Sequence, residues 1–281
     1  MVSVKELQEI DLSSYTIIFT GIAVVFSIIF ALALTILIGI FTPGDIGIAI
    51  YLIPSIVVGT FMIGIYRYFS ESFFYNLLSK KLKNIKIALD GGEIVKISPT
   101  EAATILATIA TIQAVLIYLS SVLIVPLMIN SMIQTLVISG QQVIAMQLYQ
   151  LLLIINQPMT IIMFIFGTFV IVFVSVLIGA YIYNILASKG RGVVLELSEE
   201  KGMTVIDSID VMKFGIAVAI IGGILNLIFG IVMLISGGSA MSFISNVISG
   251  FVGGFVVALF IALFYNILAP ILGKLKIKLT I

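Results

Sequence analysis

Long uncharged stretches alternate with short charged ones along this chain. Six stretches are apolar enough to cross a hydrocarbon core, which requires about 20 residues. We predict membrane helices near residues 15–41, 46–66, 101–127, 159–187, 212–235 and 243–269. A further uncharged stretch, 128–157, contains glutamines at 141, 142, 147, 150 and 157, which are costly to expose to hydrocarbon. We predict a membrane-surface helix or an outward continuation of its neighbours there, with a re-entrant plug as the alternative.

Three octets near the ends of apolar stretches share one pattern. They read SFFYNLLS at 72–79, AYIYNILA at 180–187 and ALFYNILA at 262–269. Nine residues beyond each asparagine, IKIAL, VVLEL and LKIKL begin at 85, 193 and 275. Alternation of apolar and polar residues, weaker in the middle copy, predicts a short strand after each octet.

After each of the first two predicted strands, the chain turns back and then reaches the start of the next helix. Asp90, Gly91 and Gly92 predict a hairpin, and SEEKG at 198–202 predicts a looser one. Good N-capping residues then precede the next apolar stretch, and an N-terminal cap begins the first one. The predicted caps are Asp11, Ser98 and Asp210. Ser98 with Glu101 also matches a capping box.

The chain therefore reads as one two-span module used three times. The predicted modules are 1–89, 90–197 with the long outer insertion 128–157, and 198–281. We predict an α-helical polytopic membrane protein with six transmembrane helices, as three tandem hairpin repeats around a pseudo-threefold axis, and a small cytoplasmic β element. The last strand, 275–281, should pair with residues 2–4 and close that element, because open strand edges are a liability.

Two layers of polar residues recur within the modules. The first layer is the Tyr-Asn pairs, Tyr75, Tyr183 and Tyr265 with Asn76, Asn184 and Asn266. We expect the tyrosines at the headgroup boundary and the asparagines tying helices to a cap or strand, with a pore ring as the alternative. The second layer, deeper in the membrane, comprises Ser27, Gln113 and Asn226, as helix contacts or pore lining.

Composition supports a membrane location. Hydrophobic residues make up 61% of the 281 residues, and the mean hydropathy is +1.31. All 14 basic residues fall at the termini or in and beside the connections after the second and fourth spans, and of the 13 acidic residues only Asp45 lies outside those regions. The positive-inside rule therefore predicts a multi-pass protein of the cell membrane with both termini cytoplasmic.

Several functional classes lack the residues they need. The chain has no cysteine, histidine or tryptophan, and no charged residue lies in the interior of a predicted span, so we expect no metal site, cofactor or catalytic centre. A net charge of +1 argues against nucleic acid as a partner. Lys80, Lys81 and Lys83 could hold lipid headgroups, although basic residues there also simply set topology.

The modules resemble a prokaryotic family of uncharacterised small transmembrane proteins. In that family an "ID" start precedes two spans, and the second span ends in "YN" with a strand beyond. The matching residues here are Ile10-Asp11, Ile97-Ser98 and Ile209-Asp210, with the three Tyr-Asn pairs. The resemblance implies the fold in three tandem copies and carries no activity.

Two functions remain open. The first is a non-catalytic membrane scaffold or accessory protein that holds lipids or membrane-protein partners, which is the default when a chain lacks a chemical site. The alternative is a passive channel or transporter for a small solute or ion along the repeat axis.

Overall fold

The computed structural model describes residues 2–42, 44, 46–155 and 157–280. The chain is mostly helical, with six apolar helices long enough to span a membrane and a small antiparallel sheet. The helices are α1 (Leu12–Phe41), α2 (Ile46–Leu78), α3 (Pro99–Ile138), α4 (Gln142–Ile155), α5 (Pro158–Ala187), α6 (Val211–Ile235), α7 (Ala240–Ile248) and α8 (Gly254–Leu272). A π-helical turn, Ser249–Gly253, joins α7 to α8 in one long span. The predicted number of membrane helices is confirmed.

Two features of the helices differ from the prediction or refine it. Helix α2 continues to Leu78, twelve residues beyond the predicted end of its membrane span, and the added segment contains an i,i+4 ion pair between Arg67 and Glu71. In the insertion, α3 continues to Ile138, and after a turn at Gly140 the separate helix α4 begins. Its 14 residues are about 21 Å long, too short to span a bilayer. The glutamines that we singled out in the insertion are all exposed. Asp45 lies outside the described residues.

The chain divides into two compact units. One unit comprises residues 1–102 and 177–281, and the other comprises 103–176. The second unit contains most of α3, all of α4 and the first part of α5, with its buried residues including Ile105, Ala107 and Ala114. All the strands belong to the first unit.

Six antiparallel strands form a closed ring in the first unit. They are β1 (Ser3–Ile10), β2 (Ile85–Asp90), β3 (Glu93–Ile97), β4 (Leu195–Glu200), β5 (Met203–Ile209) and β6 (Lys276–Thr280). Their order is β3-β2-β1-β6-β5-β4, and a bridge between Glu93 of β3 and Val194, the residue before β4, closes the ring. Two backbone hydrogen bonds of 2.9 Å flank that bridge. The ring thereby satisfies the strand edges that an open sheet would leave exposed.

The predicted partner of the last strand was right, but its register was wrong. Strand β6 pairs with Glu6–Ile10 of β1, whereas Ser3 and Val4 pair with Leu89 and Ala88 of β2. The register is set at the helix end of the ring, where Asp11 N donates to Lys276 O at 2.9 Å. This bond holds β6 beside the second half of β1, so residues 2–4 are left to β2.

Both hairpins that connect successive strands in sequence turn tightly. Gly91 and Gly92 adopt φ of +55° and +86°, and Lys201 and Gly202 adopt +52° and +78°. Positive φ at both central residues matches the twist of a two-residue hairpin. The second hairpin is therefore as tight as the first, contrary to the looser turn that we predicted.

Candidate functional site: the tyrosine-asparagine junctions

Each of the three asparagines binds both backbone groups of one residue. The Oδ1 atom accepts from the backbone N–H of an isoleucine, and Nδ2 donates to the carbonyl of the same isoleucine, at 2.8 or 2.9 Å in every case. The pairs are Asn76 with Ile10, Asn184 with Ile97, and Asn266 with Ile209. Each isoleucine directly precedes a predicted helix cap, so the amide takes the place of a neighbouring strand.

The adjacent tyrosines bind the same three strands, three residues before the isoleucines that the asparagines bind. Their hydroxyl groups donate at 2.6 Å to carbonyls four residues before the cap, those of Leu7, Ile94 and Ile206. The Tyr183 and Tyr265 hydroxyls also accept from Val193 N and Leu275 N, at 3.0 and 3.1 Å. Each of these two tyrosines therefore joins its helix to the strand segments on either side. The three rings are buried, at 2%, 6% and 0% exposure, so they contact protein rather than the lipid headgroups beside which we expected them.

Small residues make room around each asparagine. They lie at i−4 and i+3 from the amide, on the helix face that meets the ring, and all six are buried: Ser72, Ser79, Ala180, Ala187, Ala262 and Ala269. Ser79 Oγ additionally donates to Gln8 O at 2.9 Å. A larger side chain at these positions would separate the helix from the strand that its asparagine binds.

The predicted caps join the ring to the helices. The carboxylates of Asp11 and Asp210 accept from Ser14 N and Lys213 N, at 2.7 and 2.9 Å, as N-caps do. Ser98 Oγ instead accepts from Lys86 N at 2.9 Å, which ties the start of α3 to β2. The backbone N–H groups of the three caps donate at 2.9 Å to Lys276, Lys86 and Val194, each ten residues beyond a Tyr-Asn asparagine.

In the deeper polar layer, two of the three side chains bind the backbone of their own helix. Ser27 Oγ donates to Val24 O at 2.8 Å, and Asn226 Nδ2 donates to Gly222 O at 2.9 Å, so each side chain binds its own helix. Gln113 is half-buried and belongs to the other unit. Asn226 also lies against Gly250, where a Cβ would meet its Nδ2 at 2.8 Å.

Several charged residues outside the helices lie at the surface of the strand ring. Lys80, Lys81 and Lys83 follow α2, and all three are exposed. Lys274 and Lys276 pair with Asp207 and Glu200, at 2.7 and 2.8 Å. These lysines lower the pKa values of the two carboxyl groups, chiefly through the hydrogen bond in each pair. Over the described part of the chain, no group of three metal-ligating side chains comes together.

One polar cluster escaped the sequence analysis. Glu71 accepts from Arg67 Nε at 2.9 Å and from the Tyr15 hydroxyl at 3.1 Å, and the Arg67 guanidinium lies 5.5 Å from the centre of the Tyr68 ring. These residues join α1 to α2. The i,i+4 spacing of Arg67 and Glu71 was the available signal, but ending the second span at residue 66 placed both outside it.

Glycines set the distances between several helices. A Cβ at Gly64 would lie 3.2 Å from Thr20, and one at Gly250 would lie 2.7 Å from Gly222 O. Helices α1 and α2, and α6 and the π-helical turn, therefore approach closely at these positions, as small residues allow in membranes. The Oγ1 atoms of Thr16 and Thr20 are buried without a hydrogen-bond partner.

No protein-family model, curated protein or solved structure matches this chain.

Proposed function

We propose that this protein is a non-catalytic scaffold or accessory protein of the cell membrane, built from three tandem two-span modules around a pseudo-threefold axis. The modules are 1–89, 90–197 and 198–281, and the strand ring lies in the cytoplasm with both termini. The repeated hydrogen bonds support this arrangement, because the same atoms of the Tyr-Asn pairs bind residues at the same distance from each cap.

One observation favours the scaffold function over the channel function. The amide groups that would line a pore at the level of the ring are all engaged with strand backbone. Each amide commits one of its two N–H donors and one of its two acceptor sites to the strand, and this pair of bonds holds the side chain against the strand backbone. In the deeper layer, Ser27 and Asn226 bind their own helices. Such a protein presents its outer surface to lipids and membrane-protein partners.

The test is to replace the asparagines singly with leucine and to measure stability and transport on the same preparations. Asn76→Leu, Asn184→Leu and Asn266→Leu should each lower the free energy of unfolding by about 1–3 kcal/mol, because two buried backbone groups lose their partner. Asn246→Leu is the control, since the half-buried Asn246 makes only a solvent-exposed hydrogen bond, to Met233 Sδ at 3.4 Å, and none to strand backbone.

Ion and small-solute flux in proteoliposomes separates the two functions. We expect wild-type protein and all three variants to match protein-free liposomes. A wild-type flux above that of protein-free liposomes would instead establish the channel and overturn the scaffold, and a change of that flux in one variant would assign the path to the asparagine layer.

A further inference from the structure

An apolar cavity of about 290 Å³ lies where the end of α5 meets the start of α6 and the strands. It is about twice the size of a cavity known to admit benzene, at ~150 Å³. Its wall is apolar, and the Tyr183 hydroxyl at its edge is already bonded to Ile94 O and Val193 N. Such a space excludes water and favours a hydrocarbon occupant. The lining includes Ile97, Tyr183, Val193, Ile209, Ala217 and Ile221.

Residue size explains why the cavity is here. Seven and eight residues after Asp11, α1 has Ile18 and Phe19, whereas α6 has Ala217 and Val218 at the same distance from Asp210. Ile18 is fully buried against a cluster that contains Tyr265, Ala269 and Leu275. Ala217 packs in a cluster with the corresponding residues, Tyr183, Ala187 and Val193. Smaller side chains in α6 therefore leave open a space that larger ones occupy beside α1.

Cations lie close in sequence to residues that line this cavity. Arg191 lies two residues before the lining residue Val193, and Lys213 adjoins the lining residue Phe214. Lys213 is 3.9 Å from Glu93, whose other carboxylate oxygen accepts from Gly192 N. Lys189 and Arg191 are exposed and form no ion pair with any described residue. Lys213 therefore has one loose carboxylate partner, and Lys189 and Arg191 have none within ion-pair distance among the described residues.

We propose that this cavity holds an acyl chain of an anionic phospholipid from the leaflet beside the strand ring, with the headgroup at Lys189, Arg191 and Lys213. Bilayer lipids supply the apolar chain that the wall accommodates, and cations at this boundary attract anionic headgroups. This lipid site would be part of the proposed scaffold function, and its position in the membrane relies on that proposal. It names the class of lipid that the scaffold retains.

The absence of tryptophan makes a direct test available. Phe214→Trp places one tryptophan, excited selectively over tyrosine, in the cavity wall of a chain that otherwise has no tryptophan. The variant is placed in nanodiscs of unbrominated phosphatidylcholine that contain a minor fraction of phosphatidylglycerol with brominated acyl chains. Brominated phosphatidylcholine at the same fraction is the lipid control. Phe19→Trp reports from the filled space beside α1, at the position that corresponds to the lining residue Val218.

We expect brominated phosphatidylglycerol to quench the fluorescence of the Phe214→Trp variant about threefold more than brominated phosphatidylcholine, because the three cations favour an anionic headgroup. The Phe19→Trp variant should show no such excess. Filling the cavity with Ala217→Ile in the Phe214→Trp background should abolish the excess. Val218→Phe, which supplies the residue already present at position 19, serves as a second filling variant if the isoleucine variant does not fold.

Equal quenching of the Phe214→Trp variant by the two lipids, or an excess that persists in a folded filling variant, overturns the proposal. The scaffold is tested separately by liposome flux. A negative quenching result would therefore reject the lipid site but not the scaffold function. Measurable flux would reject the scaffold function without changing the quenching result.

Discussion

At the scale of single residues, the Tyr-Asn pair carries most of the polar structure of the junctions. The phenol supplies a rigid apolar body that fills the space beneath the strands, with a hydroxyl that reaches their backbone. The asparagine amide offers both a donor and an acceptor to one residue's backbone. Their adjacency in sequence therefore lets one helix turn bind two positions of the same strand.

Removing one tyrosine hydroxyl should be costly even though the ring remains. Tyr265→Phe leaves Ile206 O and Leu275 N without their partner in a fully buried place. We expect the free energy of unfolding to fall by about 1–3 kcal/mol, measured by denaturation in detergent micelles. Tyr181→Phe is the matched control, because Tyr181 is 55% exposed. Equal stability of the two variants would show that the buried hydroxyl bonds contribute nothing.

The ion pair between Asp207 and Lys274 predicts a pH effect. Lys274 holds the pKa of Asp207 below its ordinary value, so the charged carboxylate stabilises the fold. That contribution is present above the unfolded-state pKa of about 3.9 and is lost as pH falls through the lower folded-state pKa.

Lys274→Gln should therefore raise the pKa of Asp207, measured by carboxyl ¹³C NMR titration, and reduce the acid dependence of stability. Lys278→Gln is the control, since Lys278 lies on the neighbouring strand β6 opposite Glu9. An unchanged Asp207 pKa in the Lys274 variant would contradict this account.

At the scale of elements, hydropathy and alternation located most of the structure. Six membrane helices and most of the strands follow from local patterns, and three strand segments could be anticipated because each lies at a constant distance from an asparagine. The register of β6 on β1 could not be predicted from local patterns, because it is set by a hydrogen bond between residues 11 and 276, which are far apart in sequence. The burial of the tyrosines was likewise hidden, because a tyrosine beside a membrane helix end usually suits the headgroup region.

The observed register predicts which cysteine pair can form a disulfide. Positions 9 and 278 are paired across β1 and β6, whereas position 3 lies opposite Leu89 of β2. Glu9→Cys with Lys278→Cys should crosslink within one chain under mild oxidation, detected by a mobility shift that reductant reverses. Ser3→Cys with Lys278→Cys should not crosslink. The opposite result would restore the register that the sequence analysis predicted.

At the scale of the whole molecule, the strand ring restricts how the chain crosses the membrane. Strands from the N-terminus, from both long charged connections and from the C-terminus share one sheet, so these segments must lie on the same side of a bilayer. Six spans satisfy this requirement, because every second crossing returns to that side. The distribution of lysine and arginine then favours the cytoplasm as that side.

Site-specific labelling tests this arrangement most directly, because the natural chain has no cysteine. Single cysteines at Lys83, Glu200 and Ser139 would each be probed with a membrane-impermeant thiol reagent in intact cells and in inside-out vesicles. We predict that positions 83 and 200 react only in inside-out vesicles, and that position 139, in the outer insertion, reacts in intact cells. Reaction of position 200 on the side opposite to position 83, or on the same side as position 139, would contradict the three-module account.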